Sequence, residues 1–163
     1  MIRKASIGDI PAIRRMADVV FRRTYKDILS PEQMEYMMDM MYSERSLLLQ
    51  MTGQGHTFYI EDGIGYVSFH FQEKVGDIPV YHLEKLYVLP EYQGQGYGRQ
   101  LFDKVTECVR SSAGGPARIE LNVNRNNRAL SFYGHLGMTK ARSGDFPIGN
   151  GFYMNDYIMT IDV

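Results

Sequence analysis

YHLEKLYVLPEYQGQGYGRQLF, residues 81–102, is the stretch on which the reading of this chain turns. Its first part is β-branched and aromatic enough for a strand that runs to Leu89. Gln93-Gly94-Gln95-Gly96-Tyr97-Gly98 is a glycine-rich loop, and Leu101, Phe102, Val105 and Val109 then recur at helical spacing. A strand that turns through glycines into a helix N-terminus suits an anion. The first turn of a helix has N–H groups without intrahelical partners, and the macrodipole adds partial positive charge there. Glycine lets the backbone approach a phosphate and take positive φ. The spacing differs from a dinucleotide fingerprint, G-x-G-x-x-G, and no Gly-Lys-Ser/Thr follows as in a Walker loop.

The chain of 163 residues is one ordinary domain long, enough to bury roughly 70% of its unfolded surface. Hydrophobic residues at 44% and charged residues at 23% are globular values, and a net charge of −1 points to neither a nucleic-acid nor an acidic-membrane partner. A single cysteine, Cys108, excludes an internal disulfide, fits a reducing compartment and reads as a packing residue on the helix after the loop. No apolar run reaches the length of a transmembrane helix. The opening MIRKASIGDI lacks the apolar region of a signal peptide, so cytoplasm is the expected location.

Ile2 to Ala5 reads as a short strand. Asp9 then caps a helix with Pro11 in its first turn and an Ile10, Ile13, Ala17, Val20 stripe. Ser30-Pro31-Glu32-Gln33 opens a second helix, and Ser43 caps a third through Gln50. Met34, Met37, Met38 and Met41 line one side of the second helix, as core or as a cleft wall. After Gly53 the period becomes two. His56 to Glu61 and Ile64 to Glu73 are strands joined at Asp62-Gly63, and Lys74 to Pro79 reads as a polar loop. Ala113-Gly114-Gly115-Pro116 breaks the helix that follows the glycine loop. Ala117 to Val123 is a strand, Asn127 to Leu136 a helix ended by Gly137, and Met138 to Ala141 and Gly151 to Thr160 are the last strands.

The order is therefore β-α-α-β-β-β-α-β-α-β-β in one domain, residues 1–163, a mixed α/β sheet with helices on both faces. Within it lies a second pattern, Asn126-Asn127-Arg128-Ala129-Leu130-Ser131-Phe132-Tyr133-Gly134-His135-Leu136-Gly137-Met138. It resembles N-x-x-A-x-x-F/L-Y-x-x-x-G-F of the GCN5-related N-acetyltransferases (GNAT), with Met138 where phenylalanine is usual. Gln93, Gly96 and Gly98 likewise resemble that family's pyrophosphate loop, Q/R-x-x-G-x-G/A, and the element order is that of its fold.

The resemblance implies acetyl-CoA as co-substrate. It implies a cofactor surface made of Leu86, Tyr87, Val88, Gln93, Gly94, Gln95, Gly96, Tyr97, Gly98, Arg99, Asn126, Ala129 and Phe132. The pantetheine arm would lie between the strands ending at Val88 and Val123, with an N–H near Val88 facing the oxyanion. Tyr133 would give a proton to the departing CoA thiolate, and Glu84 or His82, directly or through water, would take one from the amine. Strand alternation puts His82, Glu84, Leu86 and Val88 on one face and Leu83, Lys85 and Tyr87 on the other. His56, His70 and His135 show no ligand spacing, so no metal is expected.

The acceptor class favoured by the resemblance is a small amine or polyamine. Tyr25, Tyr36, Tyr153, Asp145 and Asp156 are candidates for holding it through cation–π contact and ion pairing. A peptide N-terminus, a lysine ε-amine or an amine antibiotic are alternative acceptors. A non-catalytic acyl-CoA sensor is the competing class, and monomer and homodimer both remain open.

Overall fold

The computed structural model describes residues 1–163. Strands are β1 (Arg3–Lys4), β2 (Thr57–Glu61), β3 (Gly65–Val75), β4 (Ile78–Val88), β5 (Arg118–Asn124), β6 (Thr139–Gly149) and β7 (Phe152–Asp162). Helices are α1 (Ile10–Tyr25), α2 (Pro31–Tyr42), α3 (Glu44–Thr52), α4 (Tyr97–Ala113) and α5 (Ala129–His135). The expected succession of strands holds, with three helices rather than two between β1 and β2, and the strands form one sheet in the order β1-β2-β3-β4-β5-β7-β6. Pairing is antiparallel throughout except between β4 and β5.

Each face of the sheet has its own core. Helices α1, α2 and α3 close one with Ile13, Phe21, Tyr42 and Leu47 against Phe58, Ile60 and Tyr66. Helices α4 and α5 close the other with Leu101, Val105, Val109 and Tyr133 against Val67, Leu83, Leu86, Ile119 and Leu121. Caps behave as their residue types demand. The Ser30 and Ser43 hydroxyls accept from the N–H groups of Gln33 and Ser46, each satisfying an orphan donor of a first turn.

Three local readings change. The strand expected to end at Ala141 runs on to Gly149, because β6 stays paired with β7 as far as Gly149 opposite Phe152. Lys74 to Pro79 is not a loop. β3 and β4 stay paired to Val75 and Ile78, and Gly76 with φ 62° makes the two-residue turn between them. The alternation along β4 also breaks. Lys85 lies opposite Ser68 and Leu83 opposite Phe69, so Glu84 is an extra residue, a β-bulge. Beyond it the faces exchange. Leu83 and Leu86 both pack on the α4 side, and Lys85 turns to the α1–α3 side with Glu84 and His82.

Lys85 is consequently 3% exposed. Its Nζ donates to Gln50 Oε1 at 2.7 Å and lies 5.4 and 5.5 Å from the Tyr42 and Phe58 ring centres. Burial pulls its pKa down from 10.5 to about 8, although the Glu84 charge pulls it up. The folded state thus binds fewer protons than the unfolded chain between those values, and stability rises with pH across that window. Urea melts of the wild type and Lys85→Met at pH 7 and 9.5 isolate this effect. The wild type is expected to gain about 2 kcal/mol relative to the variant at the higher pH. A difference that does not change with pH would show that Lys85 keeps its charge in the folded state across that window.

Candidate active site

The β4–β5 pairing lasts for three residues, Val80–His82 against Arg118–Glu120. Past His82, β4 stays with β3 as far as Val88, and β5 stays with β7 as far as Asn124. The two strands therefore diverge, and the inner edge of each carries backbone N–H and C=O groups that no strand partner takes up.

The glycine loop stands at the β4 end of this gap. Gln93 Nε2 donates to Val88 O at 2.9 Å and ties the loop to the strand. Gly94 and Gly96 have φ of 77° and 91°, which any side chain would strain. Gly98 serves packing instead. A Cβ there would lie 3.0 Å from Phe132 Cζ, so the two sequence motifs meet at this contact. The N–H groups of Tyr97, Gly98 and Arg99 have no acceptor within the chain, and no acidic residue occupies the first turn of α4. That is the electrostatic form of a phosphate cradle. Arg99 adds charge there and holds α5 by donating to His135 O at 3.3 Å.

Three tyrosines converge on the gap from both layers. Tyr133 comes from α5 and Tyr25 from the end of α1, both buried, and partly buried Tyr87 comes from β4. Burial, then the neighbouring Tyr25, holds the Tyr133 hydroxyl well above the usual phenol range, so it is protonated at neutral pH. Asn127 donates to the Tyr25 hydroxyl at 3.4 Å, and its own Oδ1 accepts from the Ala129 N–H to start α5. The structure gives this organising role to buried Asn127 rather than to its exposed neighbour Asn126. Asp156 lies on β7 opposite Asn124 and beside Tyr25.

A second group of ionisable side chains sits at the vertex of the gap on the α1–α3 side. Three of the four histidines gather there around Glu84. His70 Nδ1 is 2.9 Å from Phe71 O and its Nε2 is 2.7 Å from Glu84 Oε1. Both partners only accept, so both ring nitrogens carry protons and His70 is an imidazolium. The Glu84 hydrogen bond accordingly raises the His70 pKa. Burial pushes Glu84 up, but the His70 hydrogen bond and the positive charges around it outweigh it, bringing it to about 2. His56 stacks on His70 with ring centres 4.4 Å apart and 17° between planes. Burial, then the His70 charge, lowers His56 to about 4.

His82 is different. Its Nδ1 donates to Gln72 Oε1 at 2.9 Å, and its Nε2 is 4.0 Å from Glu84, beyond hydrogen-bond reach. Burial lowers its pKa. The result is a neutral imidazole with a free lone pair on Nε2.

One ligand atom each from His56, His70 and Glu84 lies within 4.8 Å of the others, a proximity the sequence spacing did not show. The lone pairs of nearly parallel rings do not converge on one ion, however, and both His70 nitrogens are engaged. As it stands, the cluster is a His70–Glu84 hydrogen-bonded pair with His56 stacked on it, its buried Nδ1 without a partner.

The acceptor candidates separate. Tyr25 and Asp156 come together at the gap. Tyr36 donates to Ile148 O at 2.7 Å and stacks on Phe152, fastening α2 to the β6–β7 hairpin. Tyr153 lies on the opposite face of β7 from Asp156 and is 56% exposed. Asp145 is exposed and paired with Arg125 at 3.0 Å. Met34 and Met37 are core residues. His56, His70, Lys85 and Asn127 escaped the sequence reading. Only the register of β3 against β4 would have pointed to His70.

Comparison with known proteins agrees with this geometry. The Acetyltransferase (GNAT) family model matches residues 20–138. Bovine thialysine N-epsilon-acetyltransferase is 32% identical over 74 residues, 45% of this chain and 43% of the relative. An uncharacterized N-acetyltransferase of Mycobacterium bovis is 36% identical over 85 residues, 52% of this chain and 53% of the relative. These alignments thus span about half of each relative's length. Among solved structures, the PaiA N-acetyltransferase of Thermoplasma acidophilum in complex with coenzyme A superposes with a TM-score of 0.75 at 24% identity, over 100% of this chain and 98% of that one. The ribosomal-protein-S18-alanine N-acetyltransferase of Escherichia coli gives 0.67 at 19%, over 100% and 93%. With diverging strands, a glycine cradle and a matching family model over most of its length, the chain belongs to the GNAT acetyltransferase family.

Proposed function

We propose that the protein transfers the acetyl group of acetyl-CoA directly to a primary amine. The observation that carries this is the β4–β5 gap, with unpartnered N–H groups of the glycine loop at its mouth and the protonated Tyr133 hydroxyl beside it. Pyrophosphate on Tyr97, Gly98 and Arg99 would let the pantetheine arm lie in the gap as a short added strand against Leu86, Tyr87 and Val88. The thioester then rests near Val88, held in place for attack.

The amine nitrogen forms its bond to the carbonyl carbon, and an N–H near Val88 holds the oxyanion. The C–S bond breaks as Tyr133 donates its hydrogen bond, then its proton, to the departing sulfur. The proton lost by the amine passes through water to His82 Nε2. His82 suits that task better than Glu84, whose carboxylate neutralises His70 and whose low pKa makes it a weak base. Glu84 keeps the array charged and in place. The thialysine named for the bovine relative is a small amine, which supports an acceptor of that class here.

Titration calorimetry of acetyl-CoA, run beside thiol release over spermidine, thialysine and an N-terminal peptide, tests the reading. Binding with release on at least one amine is expected. Binding without release leaves only an acyl-CoA sensor, and no binding overturns the cradle. Tyr133→Phe is expected to lower kcat about 100-fold with the acetyl-CoA Kd nearly unchanged. Equal rates would show that another group serves the sulfur.

The pH profile tests His82. A base works above its pKa, and burial lowers this one, so kcat/KM should hold below the usual imidazole value of about 6.5 and fall only in more acidic solution. Glu84, His70 and Glu120 are the charged groups that face it. His82→Gln should remove that acidic limb. A limb left in place by the variant assigns the base elsewhere.

A further inference from the structure

Two carboxylates are buried and unused by the steps above, Glu120 and Asp156, and of these Glu120 is paired with Arg142 at 3.0 Å. Asp156 is 5% exposed, and its Oδ1 is buried with no hydrogen-bond partner. Oδ2 accepts from Asn122 at a long 3.3 Å. Burial pushes its pKa up, while the Asn122 hydrogen bond and the Arg125 charge pull it down. Arg125 does not bond to it. Only its Nη2 is engaged, with Asp145 Oδ1 and Gly144 O both at 3.0 Å, and its buried Nε has no partner, so the guanidinium offsets part of the Asp156 charge without satisfying Oδ1. A buried carboxylate with an orphan oxygen is costly, because desolvation of the charge goes partly uncompensated. Such a group in a cleft points to a ligand of opposite charge.

Its position says which ligand. Met154 and Asp156 share a face of β7, and Met154 packs in the core closed by α1 and α2, so Asp156 faces that layer. Along the gap, Asp156 pairs with Asn124, four residues past the last β4–β5 pair at Glu120. Counting the bulge at Glu84, that level is reached on β4 at Leu86 and Tyr87. Asp156 also lies close enough to Tyr25 for its charge to raise that phenol, and Tyr25 in turn acts on both Tyr87 and Tyr133. The orphan carboxylate is thus across the gap from the thioester position, on the face opposite to the core that holds Tyr133.

We infer that Asp156 is the acceptor subsite: its free Oδ1 receives the ammonium group of a cationic amine and holds that nitrogen across the gap from the thioester. This rests on the acetyl-transfer reading for its orientation. The subsite selects amines that arrive protonated, with the Tyr25 ring and hydroxyl beside them. The ion pair keeps the nitrogen in place until one ammonium proton passes to bulk water and frees the lone pair for attack; the second N–H proton goes through water to His82 as the amide forms.

The test compares wild type, Asp156→Asn and Asp156→Glu with spermidine and thialysine as acceptors. Asp156→Asn should raise acceptor KM at least tenfold and leave the acetyl-CoA Kd unchanged, and Asp156→Glu should recover part of the loss. An unchanged KM overturns the subsite while leaving acetyl transfer intact. If no amine is turned over by the wild type, the acetyl-transfer reading fails, and calorimetry of spermidine into CoA-loaded protein decides the subsite separately. Heat seen with the wild type and lost in Asp156→Asn supports it, and heat seen equally in both, or in neither, rejects it. Should Asp156→Asn not fold, tetramethylammonium against sodium at equal ionic strength replaces it in the wild type. Competition with the amine, or with spermidine binding where nothing turns over, is the supporting result, and its absence rejects the subsite.

Discussion

The parallel pairing of β4 with β5 ends after His82 and Glu120, and the rest of the architecture follows from that ending. Each strand is claimed from its outer side. Ladders with β3 hold β4 to its last residue, and ladders with β7 hold β5 to Asn124. Neither can close the gap without losing bonds already made. The bulge at Glu84 falls just past the last parallel pair, where an extra residue adds local twist and turns β4 away. The unpaired inner edges are costly in an empty fold and well suited to an extended ligand with amide groups of its own. The two layers then supply what such a ligand meets. Helix α4 brings its N-terminus to one end, α5 brings Tyr133, and α1 brings Tyr25.

What could be read from the sequence was what depends on local chemistry. Gly94 and Gly96 were legible because positive φ before a helix demands glycine, and the Asn126 to Gly137 pattern because a short helix needs its cap and packing residues at fixed intervals. The same locality set the limit. A bulge is defined by the partner strand, so nothing in His82-Leu83-Glu84-Lys85 announces that the alternation fails at Glu84. Lys85 was accordingly assigned to the face of Leu83, when it is buried under α3 against Gln50. The histidine array was invisible for a similar reason. His56, His70 and His82 stand on three segments that only the register brings together. Lys74 to Pro79 reads as polar loop because composition there reports exposure, and an exposed hairpin end is as polar as a loop.

The ionisable groups on the α1–α3 face are not equivalent, and hydrogen-bond bookkeeping separates them better than residue type does. Glu84 is the obvious carboxylate on β4, yet its charge is already used by a doubly protonated His70. His82 is the less obvious base, but its Nδ1 is fixed by Gln72 and its Nε2 is left bare. Asp156 has a lone oxygen without a donor and a core around it. Glu84 and His70, satisfied by each other, hold this part of the site in shape, while His82 Nε2 and Asp156 Oδ1 are left free.

The proposed acid and base consequently lie on opposite faces of the sheet. Tyr133 belongs to the core under α4 and α5, while His82, Tyr25 and Asp156 face the layer of α1, α2 and α3. Where the strands are paired, backbone separates those two layers. At the gap it does not, and the Tyr25 and Tyr133 hydroxyls come close enough to influence each other. A thioester lying in the gap would present its carbonyl carbon to one layer and its sulfur to the other. The incoming nitrogen and the departing sulfur would then be served by different groups without crossing paths. With two groups, neither has to take up a proton from one atom and release it to the other. The divergence of two strands thus does more than make room for the pantetheine arm. It opens the sheet at the one level where both layers can act on the same carbon.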